Sequence, residues 1–130
     1  MSEIELRTLF DRYILVLNSH QFLRLSEFIH DEIVVNGQST TRDELISVLE
    51  GHVDAVPDLA WRPRDIAIDG NQVAARFSNR GTPVKDWLGS APNGATVEYV
   101  EHVFHKVRAG RFHELHFLLD TAAVQMQLAS

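Results

Sequence analysis

The chain has 130 residues, 45% of them apolar and 23% charged, with a net charge of −6 from 18 acidic and 12 basic side chains. That composition excludes a disordered or fibrous chain, and the acidic balance argues against a nucleic-acid binder, which needs a basic excess. No apolar run approaches the ~20 residues that span a bilayer, and with no cysteine there are no disulfides or thiolate metal sites. A single domain over residues 1–130 is expected, able to bury about 70% of its unfolded surface around one core and one small cavity. The acidic opening, Met1-Ser2-Glu3-Ile4-Glu5, lacks the basic start of a secretion signal. Cytoplasm is therefore the expected compartment, with no membrane partner.

The first pattern is helical. Leu6, Leu9, Phe10, Tyr13, Ile14 and Leu17 recur at spacings of three and four, which is the apolar stripe of a packed helix. Asn18-Ser19-His20 interrupts it, and Phe22, Leu25, Phe28 and Ile29 give a shorter helical pattern. The β-branched run Ile33-Val34-Val35 reads as a brief strand, closed by Asn36-Gly37. Thr41-Arg42-Asp43-Glu44 has the form of a capping box, with the Thr41 hydroxyl on the Glu44 amide and the Glu44 carboxylate on the Thr41 amide. It opens a helix through Leu45, Ile46, Leu49 and Val53 that ends at Val56-Pro57-Asp58.

The second half reads as strands. Residues 61–68 and 72–78 flank Asp69-Gly70-Asn71, and residues 96–107 and 112–119 flank Ala109-Gly110; both are hairpin signals. Helices first and antiparallel strands after them predict an α+β fold, with three N-terminal helices packed on one face of a curved sheet.

The last hairpin concentrates titratable groups. A two-residue turn at Ala109-Gly110 sets Arg108 opposite Arg111. Uninterrupted pairing then gives one face Tyr99, Glu101, His105, Glu114, His116 and Asp120, and the other Val100, His102, Phe104, Leu115, Phe117 and Leu119. A bulge would move part of each list across. The polar face needs partners or a solvated pocket, because unpaired buried polar groups cost about 1–3 kcal/mol each. The apolar face, left outward, calls for a partner subunit, and a homodimer through it is expected. His105, Glu114 and His116 form the one same-face trio that would ligate a metal, but they lack a specific ligand signature, and the expectation is no metal. Gly-rich phosphate loops and a nucleophile elbow are absent. What remains is acid/base chemistry by a carboxylate or imidazole whose pKa burial moves toward neutrality.

Several ordered pieces resemble the SnoaL-like polyketide cyclases, also described as predicted ester cyclases, of the cone-shaped α+β superfamily that includes ketosteroid isomerase and scytalone dehydratase. They are Asn18; Val34-Val35-Asn36-Gly37; Pro57-Asp58-Leu59; Arg80-Gly81-Thr82 with Gly89, Pro92 and Gly94; and Gly110-Arg111-Phe112-His113-Glu114 with His116, Asp120 and Gln125-Met126-Gln127-Leu128. Pro83, Asn93, Lys106 and His116 depart from the family's usual His, Thr, Arg and Trp. The resemblance implies helices packed in the concave face of a strongly bent antiparallel sheet around a deep apolar cavity. It implies a cofactor-independent enzyme that closes a ring by intramolecular aldol chemistry on a small apolar carbonyl compound. Asp120 matches the family's acid/base aspartate, Asn36 resembles its cavity asparagine, and His105 is the candidate for its cavity histidine. The expected catalytic set is Asp120, His105 and His116. Asn36, Tyr99, Glu101, Tyr13 and Trp87 are expected to contact substrate. A non-catalytic ligand-binding or dimerising module of the same fold, or a dehydratase or hydrolase, are the alternatives.

Overall fold

The computed structural model describes residues 1–129. Helix α1 (Glu3–Ser19) starts in a capping box, in which the Ser2 side chain accepts from the Glu5 amide and the Glu5 carboxylate accepts from the Ser2 amide. It ends at His20, whose left-handed backbone closes the last turn. Its stripe is buried as the spacing predicts, through Leu6, Phe10, Tyr13, Ile14 and Leu17. The second helical pattern forms a 3₁₀ helix (Phe22–Glu27) rather than an α-helix. It leads into β1 (Ile29–Val35), β2 (Gln38–Thr41) and α2 (Arg42–Ala55). Only half of the expected box at Thr41 is present. Thr41 Oγ1 accepts from the Glu44 amide at 3.2 Å, while the Glu44 carboxylate takes the Thr40 hydroxyl instead, at 2.6 Å.

The strands of the second half are β3 (Pro63–Asp69), β4 (Gln72–Gly81), β5 (Val97–Arg108) and β6 (Arg111–Leu119), followed by α3 (Thr121–Leu128). The six strands make one open sheet in the order β2-β1-β6-β5-β4-β3. The sheet is mixed rather than wholly antiparallel, because β1 runs parallel to β6. The fold is α+β, with the helices packed against the sheet. Buried side chains from α1, the 3₁₀ helix and α2 meet Val73, Phe77, Val97, Tyr99, Val103, Phe112 and Leu115 of the sheet in one core.

The register of the last hairpin decides which groups enter that core. Ala109 and Gly110 both have positive φ, 51° and 81°, as a two-residue turn of primed type requires. Arg108 faces Arg111 and Val107 faces Phe112 as expected, but Lys106 then faces Glu114. His113 is the extra residue of a β-bulge, and a one-residue slip sends every later side chain of that strand to the opposite face. His105 therefore faces Leu115 and Phe104 faces His116. The inner face holds Tyr99, Glu101, His105, Leu115, Phe117 and Leu119. Glu114, His116 and Leu118 stand with His102 and Phe104 on the outer face. This corrects the uninterrupted register for Glu114, His116, Leu115, Phe117 and Leu119. It also separates His105 from Glu114 and His116, so the trio weighed as a metal site does not assemble. Among the described residues, no group of three or more His, Asp and Glu side chains is arranged to hold a metal ion. No helix among them is long and apolar enough to cross a membrane.

Candidate functional site

A cavity of about 440 Å³ lies between the inner face of the sheet and helices α1 and α2, within the size range of small-molecule sites. Its walls are mostly apolar, built by Leu17 of α1, Leu45 and Leu49 of α2, Leu59 and Trp61 of the connection to β3, and Phe77, Val103, Phe117 and Leu119 of the sheet. Tyr13, Asn36, His52, Tyr99, Glu101 and His105 interrupt this lining with polar atoms, and the exposed residues Gln38, Ser39 and Glu44 contribute from β2 and α2.

Strand alternation sets the central groups. Tyr99, Glu101, Val103 and His105 occupy successive inward positions of β5, and all four are buried. On β4, Phe77 and Asn79 lie beside Glu101 and Tyr99. The Asn79 side-chain oxygen accepts from the Arg62 amide at 3.1 Å, which turns its Nδ2 toward Glu101, where it donates to Oε1 at 2.8 Å. Glu101 is a 5% exposed carboxyl. Burial raises it to about 7, with the Asn79 hydrogen bond pulling the other way. A carboxyl with that value exchanges protons near neutral pH, as a general base should. The phenols of Tyr13 and Tyr99 are raised by burial and, secondarily, by the charge of Glu101, so both remain hydrogen-bond donors at neutral pH.

His105 is enclosed by aromatic rings, with Phe117 at 5.0 Å, Phe112 at 5.5 Å and Tyr13 at 6.1 Å between centroids. Burial pushes its imidazole down to about 3, so it is neutral throughout the physiological range. Its Nδ1 is buried without a hydrogen-bond partner, a cost that functional sites tolerate more often than structural ones.

Five of the eight expected site residues line this cavity: Tyr13, Asn36, Tyr99, Glu101 and His105. Asn36 does so with one group already engaged, since its Oδ1 accepts from the Phe117 amide at 2.8 Å and ties β1 to β6. The other three lie elsewhere. Asp120 is exposed at the end of β6, and its side chain accepts from the Ala123 amide as the N-cap of α3. The unpaired His113 puts His116 on the outer face. Trp87 is buried behind the cavity wall, where its indole N–H donates to His52 Nδ1 at 2.9 Å. Sequence reasoning missed Asn79 and His52. His52 continues the Leu45–Leu49 stripe three residues on, and that spacing was the available signal. Asn79 falls at an inward position of β4 among Val73, Ala75 and Phe77, where alternation alone points to it.

The fold and these groups define a class: an α+β protein with a mostly apolar cavity and a buried, near-neutral carboxyl at its centre. The family model of the SnoaL-like polyketide cyclases matches residues 7–128, and the chain belongs to that family. It is similar to the crystal structure of a SnoaL-like polyketide cyclase from Agrobacterium tumefaciens, at 26% identity and a TM-score of 0.88 over 95% of this chain and 98% of that one. IdmH of Streptomyces antibioticus shares the fold at 24% identity and a TM-score of 0.85, over 95% and 97% of the two chains. So does TsrD of Streptomyces laurentii, at 17% identity and 0.89, over 99% and 98%. The search of curated proteins found no match.

Proposed function

We propose that this protein is a small, cofactor-independent acid/base enzyme that moves a proton and closes a ring, in the manner of an intramolecular aldol reaction, on an apolar carbonyl compound held in the cavity. The observation that carries the reading is Glu101, a carboxyl buried among apolar walls, oriented by Asn79 and raised to about 7. Ionised Glu101 takes the proton alpha to a carbonyl, and the C–H electron pair passes into an enolate. The enolate carbon attacks a second carbonyl of the same molecule, forming the C–C bond. The resulting alkoxide regains a proton from the Glu101 carboxyl. Tyr13 and Tyr99 supply donors for the developing oxyanion between mostly apolar walls, where fixed donors act most strongly. His105, neutral, adds a polar edge to the far wall. In this reading Glu101 carries the acid/base role that the resemblance implied for Asp120, and Asp120 caps α3.

The test is alpha-proton exchange of a small apolar ketone such as 2-tetralone in deuterated water, followed by NMR. The wild type is expected to accelerate exchange, with a rate that rises through about pH 7 as Glu101 ionises. Glu101→Gln should lower it on the order of 10²–10⁴-fold. Exchange that is unchanged in Glu101→Gln overturns the assignment.

We also propose that two copies pair through the outer face of the sheet, where Phe104 and Leu118 stand 48% and 74% exposed.

A further inference from the structure

His52 lies on α2, half-buried, and lines the cavity. Its Nδ1 is 2.9 Å from the indole nitrogen of Trp87. An indole N–H only donates, so the imidazole nitrogen that meets it must be the unprotonated one. A neutral ring then carries its proton on Nε2, and the second nitrogen decides which edge is a donor. Trp87 is itself fixed, 5% exposed and edge-on to Tyr99 at 5.5 Å between centroids. It lies outside the cavity lining while His52 lies within it, so the Nε2–H edge is the one turned away from the indole. Burial holds the His52 imidazole below its ordinary value, which keeps the ring neutral at pH 7.

The geometry points to His52 as a further functional group of the cavity: a neutral imidazole, locked by Trp87 in the Nε2–H form, that donates to the carbonyl or enolate oxygen of the substrate. Trp87 is its positioning residue. This inference rests on the reading of Glu101 as the proton acceptor, because it supplies that reaction with a donor on the opposite, helical wall. It also narrows the substrate class to compounds that present an oxygen toward α2 while the acidic carbon faces β5. An oxygen that gains negative charge there meets an uncharged donor, which strengthens its hydrogen bond as the charge develops.

The experiment uses the whole protein labelled with ¹⁵N in histidine. At pH 7 the His52 resonances, assigned by their loss in His52→Gln, should show an unprotonated Nδ1 and a protonated Nε2, and Trp87→Phe should give a mixture of the two tautomers. A protonated Nδ1 in the wild type overturns the inference. The second arm measures binding of 4-nitrophenol, a phenol whose oxygen resembles an enolate oxygen and whose ionisation is read from its absorption. At about pH 7, where His52 is neutral, His52→Leu should weaken binding of the ionised phenol, followed by its absorption, on the order of tenfold to a hundredfold, the worth of a hydrogen bond to a charged oxygen. His52→Gln, which keeps a donor, should recover most of it, and Trp87→Phe should lie between. Equal affinity in wild type and His52→Leu overturns the donor role. The two readings fail separately. The wrong tautomer or unchanged phenol binding removes His52 and leaves Glu101 standing, whereas ketone exchange that survives Glu101→Gln removes the base and leaves the His52 tautomer intact.

Discussion

Glu101 and His105 sit two residues apart on one strand, and both are driven by burial toward their uncharged forms. Their effects on stability run in opposite directions with pH. Glu101 binds its proton more tightly folded than unfolded, so its protonation favours the folded state below its ordinary value of 4.5, and that contribution is lost as pH rises to about 7. The full loss is roughly 3 kcal/mol, at about 1.4 kcal/mol for each pH unit between those values. His105 releases its proton on folding, so its cost appears as pH falls below 6.5 and grows toward about 3. Between 4.5 and 6.5 the two slopes oppose each other. Glu101→Gln should therefore be more stable than wild type at pH 8, and the gap between the two should open between pH 5 and 7. Urea unfolding at pH 5 and pH 8 measures this. A wild type whose midpoint does not fall relative to the variant over that range would show that Glu101 is not desolvated as described. On the proposed reading, the stability given up by holding this carboxyl in place is exchanged for a base that is reactive near pH 7.

At the scale of elements, Asp120 illustrates how position and role separate. It ends β6, where its amide donates to the Val100 carbonyl, and its carboxylate caps α3 at the Ala123 amide, 3.1 Å away. Asp120→Ala should cost about 1 kcal/mol, as removal of an N-cap does. Asp120→Asn, which also caps well, should keep both stability and ketone exchange near wild type. A large loss of exchange in a folded Asp120→Asn protein would return the proton-transfer role to Asp120. The elements themselves were legible. A 3.6-residue stripe, β-branched runs and Asp-Gly or Ala-Gly turns each act locally, and α1, α2 and both long hairpins follow them. The bulge at His113 was not, because nothing in His113 differs from its neighbours. The extra residue is selected by the core, which takes Leu115, Phe117 and Leu119 and leaves Glu114 and His116 half-buried on the outer face. The parallel pairing of β1 with β6 joins segments some eighty residues apart, and no local signal encodes it. The same slip explains the site: Tyr99, Glu101 and His105 on β5, upstream of the bulge, stayed where alternation put them, while His116 and Asp120 beyond it did not.

For the whole molecule the bulge redraws the surface available to a partner. Leu115, Phe117 and Leu119 turn inward, and the outer face of the four strands β3 to β6 keeps Ala67, Ala74, Phe104 and His116 in one row and Arg76, His102 and Leu118 in the next. The alanines make a low shelf beside Phe104, and the Arg76–Asp65 ion pair, 2.6 Å long, borders it. Among the described residues no helix covers this face at Phe104 or Leu118, which are 48% and 74% exposed. A second copy related by a twofold axis would set the same two side chains against their counterparts and remove both from water. Charge introduced at the centre of such a contact would be placed opposite itself, which is unfavourable at close range. Light scattering at micromolar concentration should accordingly give twice the chain mass for the wild type. Phe104→Glu and Leu118→Glu should each give the single chain mass with the circular dichroism of the fold unchanged, since both positions lie outside the core. A wild type that remains a single chain up to millimolar concentration removes the pairing, and leaves the cavity chemistry, which draws on no residue of that face, unaffected.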